Sequence, residues 1–71
     1  MYPNFNAEYA RGGFTLEKLS EEMKYRGISR TVPTLSLKLN GEYQLTLKEA
    51  KVLRDIVAPE IPIDTLFEEA S

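Results

Sequence analysis

Seventy-one residues carry nine Lys and Arg against eleven Asp and Glu, with no His, Cys or Trp, and make one domain, 1–71, near the lower size limit for folding by packing alone. The missing side chains exclude a disulfide framework, a thiolate metal site and the commonest general base. No apolar run approaches the roughly 20 residues that span a bilayer.

The net charge of −2 hides a strong segregation. Residues 1–23 hold two cations and four anions, residues 24–54 seven cations and two anions, and residues 55–71 five anions and no cation. Such a middle block is where an anionic partner docks. The N-terminus, "MYPNFNAEYARGG", has neither a basic n-region nor an apolar h-region, which predicts a cytoplasmic protein without a leader.

Asn4 or Asn6 is the expected cap of a short first helix with Phe5 and Tyr9 one turn apart, ending at Gly12-Gly13. Thr15 caps a second helix, "LEKLSEEMKY", with Leu16, Leu19 and Met23 on one face and Ser20 beside them, small enough for another helix to come close. Gly27 is its stop signal. A third helix begins near Thr31 or Val32, since Pro33 is tolerated only in a first turn. Val32, Leu35 and Leu39 then face inward, leaving Pro33, Thr34, Leu37 and Lys38 outside. Asn40-Gly41 ends it as a C-cap. A β-hairpin competes for the same stretch, because Leu35, Leu37, Leu39, Leu45 and Leu47 alternate around the Asn-Gly pair.

Thr46 and Glu49 have the spacing of a capping box. They open a fourth helix, "LKEAKVLRDIVA", with Leu47, Ala50, Leu53, Ile56 and Val57 on its inner face and Pro59 beyond its end. Pro62 introduces a fifth, "IDTLFEEA", whose Ile63, Leu66 and Phe67 turn back on the core. The expected fold is an all-α, compact five-helix bundle.

Three stretches, "AEYARGGFTLEKLSEEM", "TLSLKLNGEYQLTLKEAKVL" and "IPIDTLFE", resemble the helix-turn-helix domain of lambda-repressor-like regulators of the Cro/XRE type, above all the small forms of phages and mobile elements. The resemblance covers residues 6–68 and favours helix over hairpin. Two features depart from it. The stretch from Met23 to Thr34 is longer than a turn of about 3–4 residues allows, and Leu16 and Leu37 stand where the family often has Gln and Lys.

What the resemblance implies is sequence-specific binding of double-stranded DNA by a repressor-like transcription regulator, with the helix at about 31–40 in the major groove. On that reading Thr34 and Lys38 meet base edges, Pro33 and Leu37 meet thymine methyls, and Arg30 and Thr31 reach bases or phosphate. Arg26, Asn40, Tyr43, Gln44 and Lys48 suit phosphates. Plainer readings stand beside these. Leu37 is a core residue if the helix is rotated, Tyr43 packs on the fourth helix, and each lysine alone is a solvated charge.

Few phosphate contacts per copy make a two-fold pair useful, with Ile61, Ile63 and Leu66 as the expected homodimer surface. A second class of function is a protein-interaction module, antitoxin-like or a phage-encoded inhibitor, engaging a basic partner through the acidic second helix and tail. Ser20, Ser29 and Ser36 have no His to activate them, and Glu17, Glu21 and Glu22 have no pocket. No enzyme activity, cofactor, metal, small-molecule substrate or membrane partner is expected.

Overall fold

Pro3 sets the start of the chain's first helix. A pyrrolidine ring fixes φ at a helical value, and the missing N–H is no loss in the first turn. In the computed structural model, which describes residues 2–69, helix α1 is therefore Pro3–Arg11, with buried Tyr2 as the N-cap residue. Neither Asn4 nor Asn6 is the cap. Both lie inside the helix, and Asn4 Nδ2 donates instead to the Thr65 carbonyl at 2.8 Å, joining the two ends of the chain.

Helix α2, Leu16–Tyr25, starts where the Thr15 hydroxyl accepts from the Lys18 N–H. It ends in a Schellman turn: Gly27 N–H donates to the Lys24 carbonyl and Ile28 N–H to the Met23 carbonyl. Gly27 has φ +94°, a left-handed conformation that a Cβ would strain. The apolar contact usual to this motif is present, since Ile28 and Met23 are both buried.

Helix α3, Val32–Leu39, follows Thr31 and ends at Asn40-Gly41 in the same type of turn, so the Asn-Gly pair is a helix stop. Helix α4, Leu47–Val57, opens with both hydrogen bonds of the capping box formed. Helix α5, Ile63–Leu66, is a single turn, shorter than the expected 63–70; Glu68 and Glu69 are not helical, and Ala70 lies outside the described residues.

The described residues are thus helical without a strand, and none of their helices is long and apolar enough to cross a membrane. Phe5, Leu19, Met23, Leu35, Leu53 and Leu66 have no exposed surface. Helix α4 is the hub, packing on α1, α2 and α5, whereas α3 has α2 as its only close helix neighbour among the described elements.

The inner face of α4 differs from expectation in its first turn. Leu47 sits at the first position of the helix, before the apolar stripe begins, and is 65% exposed. Glu49 takes the inward place in that turn and is 1% exposed.

Candidate nucleic-acid interface

An ionised side chain as deeply buried as Glu49 must be paired and hydrogen-bonded, since removing a lone carboxylate from water is prohibitively unfavourable. Its partners come from three segments. Oε1 accepts from Lys38 Nζ and from the Thr46 N–H, each at 2.9 Å; Oε2 accepts from Arg30 Nε at 2.5 Å. Lys38 Nζ also donates to the Gln44 carbonyl at 3.2 Å. One carboxylate thereby ties the linker before α3, the last turn of α3, the following loop and the start of α4.

Burial alone would raise the pKa of Glu49. The Thr46 backbone N–H, Arg30 and Lys38 more than offset it, holding the carboxyl at about 2 against an ordinary 4.5.

This arrangement relocates the expected contact residues. Lys38 is 14% exposed and points to Glu49 and Gln44, so it is not on the outer side of α3. Replacing it with Glu would set a second carboxylate against Glu49 and unfold the junction.

Arg30 is held differently. Its carbonyl accepts from Ser20 Oγ at 2.6 Å and its Nη1 donates to the Ser29 carbonyl at 2.7 Å, yet its side chain remains 35% exposed. The closeness allowed by a small residue at Ser20 is used here for a hydrogen bond to the linker.

Thr31 and Pro33 are exposed and Thr34 is half-buried. Thr31 Oγ1 donates to Thr34 Oγ1 at 3.0 Å, and no side chain caps the first turn of α3. Leu37 is half-buried, between the outer and core readings. Arg26, Asn40, Tyr43, Gln44 and Lys48 are all exposed. Asn40 lies at the rim of a cleft of about 180 Å³ between α1, α2 and the end of α3.

The six residues between α2 and α3 are fixed along their length, by the Gly27 turn, buried Ile28 and the Ser20–Arg30 bond. Of the seven cations in the middle block, Arg30 and Lys38 serve Glu49, and Arg54 pairs with Asp55 at 3.1 Å. Lys24, Arg26, Lys48 and Lys51 are exposed and make no ion pair with another described residue.

Glu49 is the residue that the capping-box reading left incomplete. Its spacing from Leu53 and Ile56 by four and seven places it on the apolar stripe, and that is the signal in the sequence for its burial. Leu66 has no exposed surface, so it belongs to the core and not to a partner surface; Ile61 and Ile63 are half-buried. Beside them, Tyr2, Leu45, Leu47, Ile63 and Phe67, with Asp64 and Glu69, line a groove of about 350 Å³ between α4 and α5. Among the described residues no three acidic side chains come together as a metal-holding group.

Comparisons with family models, with curated proteins and with solved structures find no match for the chain.

Proposed function

We propose that this chain is a small, phage-type transcription regulator of the lambda-repressor-like helix-turn-helix class that binds double-stranded DNA through α3. The observation that carries the reading is that α3 packs closely on α2, is held to α4 only at its far end through Lys38 and Glu49, and keeps Thr31 and Pro33 in solvent, with the Arg30 guanidinium just before its first turn. A helix supported from one side can enter a major groove, where its N-terminal residues meet base edges.

In this scheme Arg30, Thr31, Pro33 and Thr34 face the bases, and Leu37 supplies an apolar contact from its exposed part. Exposed Lys24, Arg26 and Lys48 neutralise phosphates, while Asn40, Tyr43 and Gln44 offer neutral donors. Two copies on a two-fold site raise the affinity, meeting through Ile61, Ile63 and exposed Leu47.

Salt dependence tests this quantitatively. Each neutralised phosphate contributes a slope of about −0.9 to log K against log salt. The three cations of this scheme give a slope of about −2.7 per copy, against about −6 if all seven cations of the block took part. Fluorescence anisotropy of a labelled duplex between about 50 and 200 mM salt measures it. A folded chain that ignores DNA at the lowest salt overturns the proposal.

A second reading has an observation of its own. The α4–α5 groove combines an apolar floor with the acid groups Asp64 and Glu69, and Leu47 stands exposed at its edge. Such a surface suits a basic, apolar segment of another protein, the interaction-module alternative. Absence of DNA binding in a chain of intact helicity favours it.

A further inference from the structure

Glu49 is placed as a structural ion-pair residue, but its geometry does more than pair with two cations. Arginine owes its value in recognition to a planar fork whose orientation decides whether it meets a base edge in register. A flexible arginine serves as a phosphate contact; a base contact needs the fork held by other groups. Here Nε is tied to Glu49, and one Nη1 hydrogen to the Ser29 carbonyl. The Arg30 backbone is itself tied to Ser20 on α2. Among the described residues Nη2 makes no hydrogen bond, and the guanidinium is partly in solvent. Lys38, the other cation, has two of its donors occupied and little exposed surface.

We infer that Glu49 is a positioning residue for DNA recognition: it fixes the Arg30 fork beside the first turn of α3 as the sequence-reading cation and withdraws Lys38 from the phosphates. The inference rests on the DNA-binding reading above and deepens it. It makes the buried carboxylate a determinant of sequence preference although it touches no DNA.

The test uses the full chain and two probes, a duplex enriched from a randomised pool by the wild-type protein and a mixed-sequence duplex. In Glu49→Gln the amide oxygen can still accept from Thr46, while both cations lose their counter-charge. The expected result is a fall of about tenfold or more in preference for the enriched duplex, the size of one bidentate base contact. The salt slope on mixed-sequence DNA should steepen by about 1 to 2 as Arg30 and Lys38 turn to phosphates. The Arg30 Nε–H, held by Glu49, should give a slowly exchanging resonance in the wild type that broadens or vanishes in Glu49→Gln.

Arg30→Lys covers the case in which Glu49→Gln does not fold, because position 30 lies outside the core. It keeps the charge and removes the fork, so it should lose the preference for the enriched duplex and retain mixed-sequence binding. Wild-type binding with unchanged preference in Arg30→Lys, or in a folded Glu49→Gln, overturns this inference alone. No binding by the wild type to either duplex overturns the DNA reading itself.

Discussion

The two ends of the bundle are fastened by opposite chemistry. Where α5 meets α1, five rings follow one another: Tyr2 edge-on to Phe67 at 5.5 Å, Phe67 stacked on Phe5 at 5.2 Å, Phe5 tilted against Tyr9 at 6.1 Å, and Tyr9 stacked on Phe14 at 6.5 Å. Where α3 meets α4, the fastening is Glu49 with Arg30, Lys38 and Thr46. Apolar burial is non-directional and roughly proportional to area, so the aromatic end sets how stable the molecule is. Charge-assisted hydrogen bonds have fixed lengths and angles, so the ionic end sets where α3 points. A helix that must present side chains in register needs the second kind of attachment.

That division is broken most directly at Phe5. Phe5→Ala should cost about 3–5 kcal/mol, comparable to the whole stability of a domain this small, leaving the chain largely unfolded at 25 °C by circular dichroism. A cooperative transition with an unchanged urea midpoint would show that the rings are not the main fastening.

Acid tests the other end. The Glu49 carboxyl is depressed to about 2 in the folded chain against 4.5 unfolded, so its contribution is complete above about pH 5 and is lost as pH falls towards 2. The expected loss is about 3 kcal/mol in the wild type. Urea midpoints between pH 7 and about 2.5 should carry this loss in the wild type, and Glu49→Gln should lack it. Equal acid sensitivity in the two proteins would place the pH dependence elsewhere.

The smallest effect belongs to the cap. Thr46→Ala removes the hydroxyl that accepts from the Glu49 N–H at 3.2 Å and should lower stability by about 1 kcal/mol. The Arg30 Nε–H signal should persist, because the Thr46 N–H remains to hold Glu49. A larger loss accompanied by disappearance of that signal would mean that the hydroxyl, and not the backbone, orients the carboxylate.

Much of the fold is legible because it is written in local chemistry. Thr15 and Thr46 read as caps, and Gly27 and Asn40-Gly41 as stops, since each acts on backbone groups within four residues. Between helix and hairpin the Gly41 turn decides: its N–H donates to the Lys38 carbonyl at 3.2 Å, while that of Glu42 donates to the Leu37 carbonyl at 3.0 Å. The rotation of short helices is not legible. Eight residues in α3 give barely two turns, so periodicity cannot tell that Lys38 turns inward or how far Leu37 does. At the start of α4, hydropathy alone places Leu47 inside, whereas Glu49, with partners on α3 and the linker before it, occupies the inner place. Charge clustering also overstates the cationic face. A count of lysines and arginines does not register that two of them are engaged from within by one buried carboxylate.

The connection from Arg26 to Thr31 is long for a turn and yet stiff. Anchored at a glycine turn, an isoleucine plug and a serine–carbonyl bond, it works as a splint and not as a hinge. Twisting α2 would carry α3 with it, so anything gripping the second helix from behind could steer the third without touching it.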